Sequence, residues 1–134
     1  MTQYEERLEH DIQAIRNQVM ELGGLAEAGL ERAVSALLDG DRKLAYETIL
    51  RDQILNRKAA RLDRACHEFV ARHLPSAGHL RFISAVLRLT VELERIGDYV
   101  VTICRESVRL TTRPTPSIRR LIELLADDAR RALR

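Results

Sequence analysis

The chain has 134 residues, 46% apolar and 31% charged, which suits one ordinary domain and leaves no room for two enzyme-sized ones. Aromatics make up 4% and tryptophan is absent, so a core must be aliphatic; six glycines and three prolines are too few for a sandwich or barrel that turns every ~8–12 residues. The formal charge of +2 is unevenly spread: six arginines stand against three acids after Thr112, while residues 1–112 carry sixteen basic and seventeen acidic side chains, a balance that argues against a nucleic-acid binder.

Three clusters of turn residues punctuate the chain, at Asp39-Gly40-Asp41, Leu74–Gly78 and Thr111–Ser117. Between them the apolar spacing of three and four predicts long amphipathic helices. The first carries Leu8, Ile12, Ile15, Val19, Leu22, Ala26, Leu30, Ala33 and Leu37, with Thr2 and Glu5 as a capping box and Gly40 as its left-handed end. Gly23, Gly24 and Gly29 inside it imply close approach of a neighbouring backbone, since each glycine costs a helix roughly 1 kcal/mol. The second opens on Asp41 as N-cap, and its seam runs Ala45, Thr48, Asp52, Leu55, Ala59, Leu62, Cys66, Phe69, His73. His73 reads as a helix-end residue, and His10 and His67 as solvated. The third is apolar on most of its circumference, with a polar stripe of Arg88, Glu92, Arg95, Tyr99, Thr102, Glu106 and Arg109, so it should touch neighbours on more than one side.

The expected fold is all-α: a long antiparallel three-helix bundle with an additional fourth helix. The fourth segment, Ser117 to Arg134, repeats the first at an offset of 103, Ile118 falling on Ile15, Leu125 on Leu22 and Leu133 on Leu30. Residues 1–112 then form one three-helix repeat, and 113–134 a linker plus the first helix of an incomplete second repeat. The stripe Ile118, Ile122, Leu125, Ala129, Leu133 is expected to cover the bundle or pair with another copy, giving a homo-oligomer, because such a face is rarely left in water.

Cys66 and Cys104 are far apart, lack Cys-x-x-Cys spacing and fall on apolar stripes, so they read as buried free thiols. No apolar run reaches the ~20 residues that span a bilayer. The first residues show no basic-then-apolar targeting pattern, and the chain reads as cytoplasmic.

Chemistry concentrates on the third helix. Glu94 and Asp98 lie four apart on one face with Leu87, Val91, Val101 and Val108, and two like charges on an aliphatic stripe need an arginine, a shared proton or a cation. Gly97 between them leaves room for another helix. Asp52 and Asn56 on the second helix repeat the four-residue spacing, and antiparallel packing should bring both pairs to one height. Two readings follow: an ion-pair network with Arg51, Arg95 or Arg105, or an all-oxygen cation site. No Glu has a His three residues later, against a di-iron oxygenase, and no phosphate loop or nucleophile elbow is present.

The run Leu93-Glu94-Arg95-Ile96-Gly97-Asp98 resembles the Leu-Glu-Arg-Ile-Gly-Asp motif of the PhoU family, and Pro75–Arg81 resembles that family's Pro-x-Ala-x-Asp-Leu-Arg turn. Asp52-Gln-Ile-Leu-Asn56 is similar to its second-helix motif, the likeness covering residues 1–112. The resemblance implies two three-helix repeats and a non-enzymatic, cytoplasmic, negative regulator of the phosphate-starvation response, linking the phosphate ABC transporter ATPase to a sensor histidine kinase. It also implies a divalent or trivalent metal ion (Fe, Mn or Mg) at Glu94 and Asp98, with Asp52 and Asn56 as second pair. His79 stands where the turn has Asp, and Ala59 where an acid is expected. The alternative is a structural or dimerising helical module whose carboxylates are held in ion pairs.

Overall fold

The computed structural model describes residues 2–133. Four helices follow in chain order: α1 (Gln3–Asp39), α2 (Arg42–Arg72), α3 (Ala77–Arg109) and α4 (Pro116–Ala132). Their ends obey local chemistry. Thr2 and Glu5 form a reciprocal capping box, Gly40 closes α1 at φ 65°, and Asp41 and Ser76 accept backbone N–H bonds at the starts of α2 and α3. The short links at 40–41 and 73–76 fold α1, α2 and α3 into an antiparallel up-down-up bundle in which each helix touches the other two. No helix among the described residues is long and apolar enough to cross a membrane.

The core is aliphatic and runs the length of the bundle. At one end Ile12, Ile15, Leu22, Leu55, Leu62, Phe69, Ile83, Val86 and Leu93 interlock; at the other, Ala33, Ala36 and Ala45 pack with Val100 and Cys104. The alanines shrink the seam there. Every member of the expected α2 seam is buried except Asp52, which is half-buried, and the expected polar stripe of α3 is exposed throughout. Cys66 and Cys104 are buried free thiols; burial first, then the Asp63 charge, pushes Cys66 up to about 11.

One expectation needs correcting, and another holds but understates its residue. Nothing lies within 4 Å of where a side chain would start on Gly23 or Gly24, so neither serves close packing, whereas Gly29 faces Val100 at 3.5 Å. His73 is more than a helix end. It is 2% exposed, packs tilted against Phe69 and edge-on to Tyr4, and its Nε2–H donates to Asp11 Oδ2 at 2.7 Å.

Helix α4 contacts α1 alone, through charged groups as well as part of its apolar stripe. Arg119 donates to the Leu38 carbonyl at 3.1 Å and to Asp39 at 3.3 Å, satisfying orphan acceptors at a helix end that has no basic residue in its own last turn. Arg130 approaches Glu31 at 3.7 Å. These anchors fix the rotation of α4, so Ile122 and Leu133 lean on α1 while Ile118 stays 51% and Leu125 70% exposed. The predicted covering of the bundle is therefore half realised.

Candidate functional site

Antiparallel pairing of α2 with α3 brings Asp52 level with Gly97, at the height the sequence spacing predicts. A methyl on position 97 would stand 2.9 Å from Asp52 Oδ1 and 3.2 Å from Leu55 Cδ2, so the missing side chain is what lets the carboxylate enter the helix seam. The other oxygen, Oδ2, accepts a hydrogen bond from Asn56 Nδ2 at 3.1 Å. Burial pushes the Asp52 carboxyl above its ordinary range; the Asn56 amide draws it partly back, and the nearby Asp98 charge adds to the rise.

Glu94 is placed differently. It is half-buried and lines an open groove with Asp63, Arg64 and His67 of α2 and with Leu87, Thr90 and Val91 of its own helix. Asp98 and Val91 are exposed, so the Glu94–Asp98 edge forms the rim of the α2–α3 groove rather than an oily interior. Ala59 is buried in the core and offers no oxygen. His79 turns to Ser76, Nδ1 and Oγ lying 3.2 Å apart, and its ring meets Phe69 edge-on.

The ion-pair network expected as the alternative is not what holds these acids. Arg95 bridges Glu92 at 3.2 Å, and among the described residues no Lys, Arg or His lies within 4.0 Å of the Asp52, Glu94 or Asp98 carboxylates. Nor do three His, Cys, Asp or Glu side chains among the described residues already converge as a metal cage.

Asp63 and His67 are the groove residues that sequence reasoning missed. They continue the face of Asp52 and Asn56 three turns along α2, and that continuation was available from helical spacing alone. Arg32 was missed as well, and Arg51 was expected only as an ion-pair partner of the carboxylates. With Asp52 and a set of aliphatic side chains, the two arginines line a cavity of about 80 Å³ between the three helices.

Fold and site together define a long three-helix scaffold with carboxylates along the groove between its second and third helices. The PhoU domain family matches residues 19–107. The chain is 37% identical over 98 residues to the phosphate-specific transport system accessory protein PhoU of Serratia marcescens and 36% identical to that of Escherichia coli K12, in each case over 73% of this chain. Those alignments cover 40% and 41% of the two relatives, so the chain spans about two fifths of their length. A homolog from Deinococcus radiodurans is 31% identical over 109 residues, 81% of this chain and 51% of the relative. The crystal structure of PhoU from Pseudomonas aeruginosa superposes with a TM-score of 0.86 at 26% identity, over 93% of this chain and 60% of that one. The chain belongs to the PhoU domain family.

Proposed function

We propose that this chain acts as a regulatory accessory of phosphate-specific transport, a non-enzymatic negative regulator of the phosphate-starvation response that couples the transporter ATPase to a sensor histidine kinase. The observation that carries the reading is the Leu93–Asp98 run. It lies on α3 within the matched PhoU domain, facing α2 through Gly97, in a fold shared with a solved PhoU. The names of the relatives supply the phosphate transport system. In a bacterial strain lacking its own PhoU protein, expression of the 134-residue chain is expected to lower a phosphate-starvation reporter when phosphate is plentiful. Reporter output identical with and without the chain would overturn the regulatory reading.

The donor chemistry of the α2–α3 edge fits a hard cation. Glu94, Asp98 and Asp52, with the side-chain amide of Asn56, would hold it; all-oxygen donors suit Fe, Mn or Mg better than copper or zinc. The fit rests on Asp52, a half-buried carboxylate with no ion-pair partner within 4.0 Å among the described residues, whose ionisation burial and Asp98 both oppose. The carboxylates are not gathered beforehand, so an ion would draw α2 and α3 together and neutralise their charge. Elemental analysis after incubation with Fe, Mn or Mg is expected to show uptake by the wild type and loss of it in Glu94→Ala/Asp98→Ala. A wild type that takes up none of the three sinks the metal reading and leaves the regulatory one standing.

A further inference from the structure

Helix α2 turns an unusual face to solvent. Tyr46, Leu50 and Ile54, four residues apart, are 57%, 68% and 45% exposed. One turn further along the same face come Arg57, Arg61 and Arg64. The stripe is therefore divided along the helix axis, an apolar half followed by a basic half, over about 27 Å. Its opposite side is the core seam through Leu55, Ala59 and Leu62, so only this face is free to meet a partner.

Two further observations say what kind of partner fits. Arg57, Arg61 and Arg64 make no ion pair within 4.0 Å among the described residues; the Lys and Arg side chains of α2 make two, Lys58 with Glu21 and Arg72 with Asp11. Beside Ile54 lies the cavity of about 80 Å³, walled by Leu25, Leu55 and Val100 and edged by Arg32 and Arg51. Its apolar walls suit an aliphatic side chain. Neither arginine is in an ion pair among the described residues.

We propose that the Tyr46–Arg64 face of α2 is a docking surface for an acidic amphipathic helix of a protein partner, whose aliphatic anchor enters the cavity beside Ile54 while its carboxylates meet Arg57, Arg61 and Arg64. The pattern is that of helix-on-groove recognition, in which spaced apolar anchors supply affinity and charge complementarity fixes orientation. A lipid surface fits less well, because bilayer-bound helices carry cations alongside the apolar stripe rather than beyond its end. Duplex nucleic acid fits less well still, having nothing to place in an aliphatic cavity. Glu47 stands exposed near the apolar half and Glu68 one turn beyond Arg64, so the basic half is the three arginines between them. This surface deepens the accessory reading by naming where a protein partner docks, and its test needs no phosphate signalling.

The test titrates the full chain into a fluorescent helical peptide of about 16 residues, with leucines four apart in its first half and glutamates at the same spacing in its second. A scrambled peptide of equal composition, anionic phospholipid vesicles and a duplex oligonucleotide serve as comparators. The patterned peptide is expected to bind about tenfold tighter than the scrambled one. Leu50→Ser/Ile54→Ser and Arg57→Glu/Arg61→Glu should each weaken it by about tenfold, helical circular dichroism being unchanged because all four positions are exposed. Equal binding of patterned and scrambled peptides overturns the proposal, as does displacement by vesicles or duplex with no effect of the Leu50/Ile54 substitutions. Peptide binding without reporter repression would sink the phosphate reading alone, and repression without peptide binding would sink this surface alone.

Discussion

Gly97→Val is expected to destabilise the fold by about 2 kcal/mol, read as a lower urea midpoint at unchanged slope. The glycine is buried between α3 and α2, where a Cβ would press on Asp52 Oδ1 at 2.9 Å and on Leu55 Cδ2 at 3.2 Å. Valine adds two further methyls to that contact, and overpacking of this kind costs roughly 1–3 kcal/mol, outweighing the few tenths gained from better helix propensity. Gly23→Ala and Gly24→Ala supply the control. Both sites are helical with nothing within 4 Å, so each is expected to stabilise by about 0.5–1 kcal/mol. Adding Asp52→Ala to Gly97→Ala should relieve the closest contact, giving a coupling of order 1 kcal/mol in a double-mutant cycle. A Gly97→Val protein as stable as Gly23→Ala would refute the packing argument, and with it the claim that glycine admits the Asp52 carboxylate to the seam.

Much of this architecture is written in short-range signals. Thr2 with Glu5, Gly40, Asp41 and Ser76 each act within one helical turn, and the structure uses all four as caps. The α2 seam follows from helical period, and the level match of Asp52 with Gly97 follows from counting residues back from the turn. Periodicity does not fix how far each helix rotates about its own axis. That angle separates a carboxylate in the groove from one on its rim, and it left Asp98 exposed while Asp52 went half under. Gly23 and Gly24 misled because a glycine signals permission for close approach, not the presence of a neighbour. The seating of α4 was illegible for a related reason: Arg119 reaches carbonyl and carboxylate groups some eighty residues earlier in the chain, and that contact overrides the apolar stripe.

The Asp11–His73 bond spans a similar sequence distance and could not be read from either residue's neighbours. It joins the start of α1 to the end of α2, where the His73 ring packs on Phe69 with centroids 4.9 Å apart and on Tyr4 at 5.7 Å. His73→Ala is expected to cost about 3 kcal/mol, combining a cavity left by a buried ring with loss of a charge-assisted hydrogen bond. His73→Phe keeps the ring and loses only the bond. It should cost about 1–2 kcal/mol, the low end for a bond to a charged group, because the buried Nδ1 of His73 has no hydrogen-bond partner and phenylalanine removes that desolvated atom. The two variants also differ in pH response. The hydrogen bond from His73 holds the Asp11 carboxyl below its ordinary value of 3.8 against the opposing effect of burial, with His10 and Arg72 helping. A depressed acid stabilises the fold fully above that ordinary value, and the contribution fades as pH falls through the lower folded one. The deficit of His73→Phe relative to wild type should therefore contract as pH falls below about 4. The packing part of the His73→Ala deficit persists there. Urea midpoints for the three proteins at neutral pH and below pH 3.8 decide the matter: a His73→Phe deficit that does not shrink in acid would show that the bond to Asp11 contributes nothing to stability.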